Sequence, residues 1–237
     1  MTWANRNTRV HGQSKETPPL PEGRFSVISA DPPWKYQNWT DKAHGAASAW
    51  YETMSTKDIC SIPVTEAAAD DSLLFLWVTN PKLEDGLQVM KAWGFDYVTV
   101  AFDWVKTYRR PVQIQLPNKG DVLDLCDRFC PEEDYAPFLE PSPVRSAWIV
   151  PGNLYCGLGF WARGGNELCI LGKRGKGVKR KSAKVLATLL APRTHHSAKP
   201  AGIYNRIEEL VDGPYLEMFA RSDREGWETW GREASNE

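Results

Sequence analysis

Residues 72–78 read SLLFLWV and run straight into NPKLEDGLQVMKAWG. A strand with one wet face alternates apolar and polar residues. A near-continuous apolar run predicts a strand covered on both faces, as in a parallel sheet. The segment after it carries helix punctuation. Asn80 is placed to cap, Pro81 to sit at the first helical position, and Gly94 to close. Leu83, Leu87 and Met90 share a face. FSVISA (25–30) lies upstream, and FDYVTVAFDWVK downstream reads as a strand with a bulge. Strands alternating with helices predict an α/β sheet with parallel strands.

The remaining elements follow the same rules. Ser55 caps MSTKDICSI with Asp58 in the reciprocal position, and Pro63 breaks it. ELCILGKR (167–174) is a strand leaving the core. In SAKPAGIYNRIEELVDG, Ile203, Ile207, Leu210 and Val211 share a face, with Pro200 in the first turn and Gly213 at the end. YLEMFAR (215–221) is the last core strand. Residues 1–23 are polar, end in TPPLPEG, and read as a flexible arm. Residues 108–150 break the rhythm with prolines and acids and one short helix candidate at 120–130. They read as an insertion in one domain, 24–237, which suits a chain of 237 residues.

Composition excludes several classes. Apolar residues make up 42%, too many for a disordered chain, and no run reaches the roughly 18 a membrane helix needs. MTWANRNTRVHGQSKE shows no secretory signal. Five cysteines without a C-x-x-C pair predict reduced thiols in the cytoplasm. Four histidines form no metal pattern, so no metal is expected. Net charge is −1, yet GKRGKGVKRKSAK (172–184) holds seven Lys/Arg and no acid. Such a run is either a solvated loop or a lure for a phosphate backbone. Eleven tryptophans exceed the usual share, and those in polar surroundings suit base stacking.

FSVISADPPW ends a buried strand on a carboxylate. Ligand sites in open α/β sheets lie beyond the carboxyl ends of strands. Pro32 and Pro33 remove two N–H groups, leaving carbonyl acceptors beside the Asp31 carboxylate. An acceptor-only pocket suits an exocyclic amine, and Trp34 offers a face to its ring, adenine or cytosine. The competing reading is a plain turn with Trp34 packed inward.

ADPPW, WYETMS, LLFLWVTNP, WVKT, GNELCILGKRG, HSAKPAGIYNRIEEL and YLEMFARSDREGWETWG occur in one order and spacing. In this the chain resembles the MT-A70 family, S-adenosylmethionine-dependent N6-adenine methyltransferases acting on RNA or DNA. The resemblance covers roughly 25–107 and 157–233. It implies a Rossmann-like class I methyltransferase fold in permuted motif order, with a mixed, mostly parallel sheet. It implies Asp31, Pro32, Pro33 and Trp34 as the catalytic tetrapeptide, with Asp31 and the Pro32 carbonyl on the amine. Lys199, Glu217, Phe219 and Arg221, together with Asp31, are implied as cofactor contacts. Arg232 stands where the family places an Asn, a departure that removes an acceptor. Tyr36, Trp50 and Tyr51 are candidate contacts to the acceptor nucleoside. Lys173, Arg174, Lys176, Lys179, Arg180 and Lys181 are candidates for the nucleic-acid backbone.

The expected cofactor is S-adenosylmethionine and the expected partner DNA, with RNA as the alternative. A monomer or homodimer in a bacterial or phage-infected cytoplasm is expected, without membrane contact. Two further alternatives are a catalytically inactive nucleic-acid-binding subunit and transfer to cytosine N4.

Overall fold

The computed structural model describes residues 18–36, 53–107, 112–115, 147–150, 155, 161–162, 164–193 and 198–231. Among the described residues, nine strands and three α-helices follow in order: β1 (Phe25–Ala30), α1 (Thr56–Cys60), β2 (Ala68–Val78), α2 (Leu83–Ala92), β3 (Asp96–Thr107), β4 (Val112–Gln115), β5 (Ala147–Val150), β6 (Asn166–Arg174), β7 (Thr188–Pro192), α3 (Gly202–Leu210), β8 (Tyr215–Met218) and β9 (Trp227–Trp230). Seven strands form one sheet in the order β7-β3-β6-β2-β1-β8-β9, and β4 pairs with β5 apart from it. The sheet is mixed and mostly parallel, as the resemblance to a Rossmann-like fold implied.

The run that opened the sequence explains the layers. Leu74, Leu76 and Val78 point into a core shared with α1 and α2, which includes Ile59, Val89, Met90 and Trp93. Leu73, Phe75 and Trp77 point the other way, into a core with Ile203, Tyr204 and Ile207 of α3. The period of two divides one apolar run between two cores. Each buried large side chain contributes about 1.5–3 kcal/mol relative to exposure.

Several expectations hold in detail. The Ser55 hydroxyl accepts from the Asp58 amide and closes the start of α1. The register of β3 shifts twice against β6, as a bulged strand requires. Gly94 ends α2 at φ 77°, a backbone state that favours glycine. Ile203, Ile207 and Val211 of the α3 face are fully buried.

Others are corrected. Asn80 opens a 3-10 turn (Asn80–Lys82) whose cap position is Thr79, and α2 starts at Leu83. The buried stripe of α2 is Gly86, Val89 and Met90, while Leu83 and Leu87 lie at its exposed margin. Neighbours of β2 are also mixed: β1 runs parallel, but β6 runs antiparallel to both β2 and β3. That reversal decides where the basic run lies. GWETWG supplies β9, parallel to β8. The helix candidate 120–130 and residues 1–17 lie outside the described residues.

Candidate active site

Parallel β1, β2 and β8 end at one rim. Ala30 is level with Leu76 on one side and Met218 on the other. The next residue on β1 is Asp31, and Thr79 follows β2. Lys199 precedes α3 and reaches the same rim. Its ammonium donates to Asp31 Oδ2 at 2.6 Å and lies 3.1 Å from Glu167 Oε2. Glu167 Oε1 in turn accepts from Lys106 of β3. Four side chains thus alternate in sign across the sheet: Asp31, Lys199, Glu167, Lys106.

The surroundings set their charges. The Lys199 side chain is only 4% exposed and lies 5.2 Å from the centroid of the Trp77 ring, within cation–π range. Burial disfavours its charge, but the carboxylates of Asp31 and Glu167 hold its pKa above the ordinary lysine value. Lys199 is therefore a fixed cation and no base at neutral pH. Burial presses the Glu167 pKa upward, yet the ammoniums of Lys199 and Lys106 overcome it and leave the carboxyl below its usual range. Asp31 has one ammonium partner and feels Glu167 as a like charge; with burial the largest influence, its pKa is raised. These are the environmental pushes expected at a reactive site.

A cavity of about 120 Å³ opens above the chain, lined by Asp31, Pro32, Trp34, Tyr36, Thr79 and Glu167, with Trp77, Val78 and Lys199 completing it. That is room for about four waters, given some 30 Å³ each, or for the amine edge of one planar ring. The Tyr36 hydroxyl hydrogen-bonds Thr79 Oγ1 at 2.9 Å and braces one wall.

Two expectations for the tetrapeptide are corrected. Its carbonyls are not free of local donors: the Trp34 amide donates to Pro32 O and the Met54 amide to Pro33 O, both at 2.8 Å. A carbonyl has two lone pairs, so Pro32 retains one acceptor site. Trp34 itself is 4% exposed, with its indole N–H on Trp77 O at 3.1 Å. It closes the pocket floor from inside the core; a wide stacking face is not what it presents. The donor demand of a buried indole explains the inward turn.

Glu217, at the end of β8, forms a second constellation. Its Oε1 accepts from the Tyr204 hydroxyl at 2.6 Å, and Oε2 lies 3.5 Å from Arg224 Nε. The Arg224 guanidinium stacks 3.5 Å from the Tyr204 ring centroid, and its buried Nε lacks a hydrogen-bond partner. An orphaned buried donor beside a carboxylate calls for a ligand bringing both an acceptor and donors. A ribose diol has that character. Phe219 follows at φ 63° and packs edge-on against Trp230 at 5.4 Å. Arg221 is exposed beyond it.

Of the predicted residues, Asp31, Pro32, Trp34, Tyr36 and Lys199 meet in one pocket. Glu217, Phe219 and Arg221 continue the rim along β8. Trp50, Tyr51 and Arg232 lie outside the described residues. The basic run does not join this site. Because β6 is reversed, Leu168 is level with Val78 at the rim, whereas Lys173 and Arg174 are level with Leu73 and Ser72 at the opposite end. Lys176, Lys179, Arg180 and Lys181 follow them. Glu167, Lys106, Tyr204 and Arg224 were missed by sequence reasoning. The available signal was a charge inside an apolar strand, as in NELCIL and FDWVKT.

Comparison with known proteins meets this geometry. The MT-A70 family model matches residues 25–124 and 153–233. The match extends past 108 and leaves 125–152 unmatched. Type II methyltransferase M.MunI of a Mycoplasma species is 26% identical over 97% of this chain and 86% of its own length. The N(6)-adenosine-methyltransferase catalytic subunit METTL3 of Homo sapiens is 25% identical over 89% of this chain. The N(6)-adenine-specific methyltransferase METTL4 of Homo sapiens is 28% identical over 88%. This chain spans only 28% and 37% of those two human proteins.

Proposed function

The chain belongs to the MT-A70 family, and on that premise we propose that it transfers a methyl group from S-adenosylmethionine to the N6 amine of adenine in DNA. The observation that carries the reading is the Asp31–Lys199 pair at the pocket, a buried ammonium on a carboxylate that is partly open to the cavity. It spends one carboxylate oxygen, Oδ2, on a fixed cation. The other, Oδ1, belongs to a side chain still 29% exposed at the pocket and can accept from an incoming N–H.

The residues along β8 fit the cofactor. Glu217 and the orphaned Arg224 Nε suit its ribose, with Phe219 and Arg221 beside them. When bound, S-adenosylmethionine supplies a sulfonium methyl carbon open to displacement by an amine. Asp31 Oδ1 accepts one amine N–H, the second lone pair of the Pro32 carbonyl accepts the other, and the nitrogen lone pair is freed for attack. Holding that nitrogen in line supplies much of the rate. Positive charge developing on nitrogen is stabilised by the Asp31 carboxylate, which Lys199 holds in place. The extra proton leaves through Asp31 to solvent, a route its raised pKa favours. In duplex DNA the base must leave the stack, at a cost of a few kcal/mol.

The reading is supported by the likeness to a type II methyltransferase, 86% of whose length this chain spans, and to an N(6)-adenine-specific methyltransferase. The test is transfer from labelled S-adenosylmethionine to duplex DNA, single-stranded DNA and RNA, read as methylated nucleosides. N6-methyldeoxyadenosine supports the proposal. N6-methyladenosine alone moves the substrate to RNA, and N4-methylcytosine overturns the choice of base.

A further inference from the structure

The basic run 172–184 remains unexplained by the pocket. Six residues separate Leu168, level with Val78 at the rim, from Arg174, level with Ser72. At about 3.3 Å per residue the run starts some 20 Å below the rim. It is no loose tail. Gly175 and Gly177 adopt φ 58° and 73°, and the Gly177 amide bonds Arg174 O at 3.0 Å. Asp71 Oδ1 accepts from the Lys176 amide at 2.7 Å. Val178 and Val185 pack against the α3-side core. Lys181 closes the end of α3: its amide donates to Leu210 O, and its ammonium reaches Glu208 O at 3.0 Å and Asp212 at 2.7 Å. Ser182 bonds Glu209.

Lys181 is paired with Asp212, Asp71 and Glu209 hold the run while keeping their charge, and Asp96 stands opposite Lys173 in the register. Lys176, Lys179, Arg180 and Lys184 remain exposed, with no ion pair among the described residues. A fixed ledge of unpaired cations loses little freedom on binding an anion, and a phosphate backbone is the polyanion whose charge spacing rewards several at once.

We propose that the ledge 173–184 is a second nucleic-acid contact, gripping sugar–phosphate backbone from a stretch distinct from the base in the pocket. This rests on the reading that the chain acts on nucleic acid. The ledge lies at the far end of the strands, so pocket and ledge are engaged together only by a polymer long enough to pass round the sheet edge.

The test is a triple variant, Lys176→Gln/Lys179→Gln/Arg180→Gln, checked by circular dichroism for an unchanged fold. Binding to random-sequence duplex of about six helical turns is measured against salt. The slope of log K on log salt should fall by about 3, near one unit per lost contact. Methyl transfer on that duplex should weaken at least tenfold in kcat/KM, while transfer on a duplex of about one turn stays within twofold. An unchanged salt slope overturns the proposal. So does equal loss of transfer on both lengths, which would place these residues at the pocket mouth. Binding to anionic phospholipid vesicles that the variant abolishes, with the DNA slope unchanged, would make the ledge a membrane contact instead. Should the wild type methylate neither duplex, the functional reading fails alone, and the slope still decides the ledge.

Discussion

At the scale of single residues, the site depends on which groups stay charged. Asp31 keeps its acceptor character because Lys199 is held cationic by two carboxylates. Asp31→Asn removes the charge while keeping the shape. Methyl transfer should fall about a thousandfold, the upper range for one lost electrostatic contact at a reaction centre. Cofactor affinity, measured by calorimetry, should change less than threefold, since Glu217 on β8 and Arg224 in the turn before β9 form a separate constellation. A parallel loss of both would reassign Asp31 to cofactor binding. Tyr204 makes the complementary case. Its hydroxyl donates to Glu217 at 2.6 Å, and burial with the neighbouring carboxylate raises its pKa, so it stays a donor. Tyr204→Phe leaves Glu217 one donor short, worth about 1.5–3 kcal/mol for a charged acceptor. S-adenosylmethionine should bind about tenfold more weakly, with kcat at saturation within threefold. Asp31 and Lys199 were legible through the resemblance and through strand-end logic. Glu167 and Lys106 were not, because 61 positions separate the two partners, and a charge in a strand announces a partner without naming it.

Elements carry the site through packing that the sequence shows only in part. The apolar periodicity located α2 but rotated its face. Leu83 and Leu87 are large and draw the stripe toward themselves, whereas Gly86, which contributes nothing to an apolar pattern, is buried against Val78 of the sheet. A Cβ at Gly86 would collide with Val78 Cγ1, and Val78 lines the pocket. Gly86→Ala therefore sets two effects against each other. Helix propensity gains about 1 kcal/mol, and overpacking against a stiff β-branched side chain costs about 1–3 kcal/mol. We expect a net loss of up to about 2 kcal/mol, read as a lower urea midpoint at constant slope, together with reduced kcat as Val78 is displaced. A stabilised variant would show that Val78 yields freely. The tetrapeptide teaches the same lesson: its prolines were legible, but the Trp34 amide turning back onto the Pro32 carbonyl and the Met54 amide reaching Pro33 from outside the motif were not.

For the whole molecule, strand direction and the charge chain matter together. Parallel order could be inferred from apolar runs, but a run buried on both faces reads alike in either direction, so the reversal of β6 was invisible. That reversal brings Glu167 to the rim and sends the basic run to the far end. It also lets one chain of charges clamp the sheet, since Lys106, Glu167, Lys199 and Asp31 come from β3, β6, the entry to α3 and the end of β1. Breaking it should unsettle the fold as well as the chemistry. Glu167→Gln strips a carboxylate from between two ammoniums, at a cost of about 3–5 kcal/mol for unpaired buried charge. The pH dependence follows from sign. The folded pKa of Glu167 lies below its ordinary value, so its ionised form contributes stability above about pH 5, and that contribution disappears as the pH falls through the folded pKa. The stability gap between wild type and Glu167→Gln, from urea unfolding, should be flat from pH 6 to 8 on the order of those few kcal/mol and close on acidification below about pH 4. A gap that persists into acid would mean that Glu167 holds the sheet by shape rather than charge.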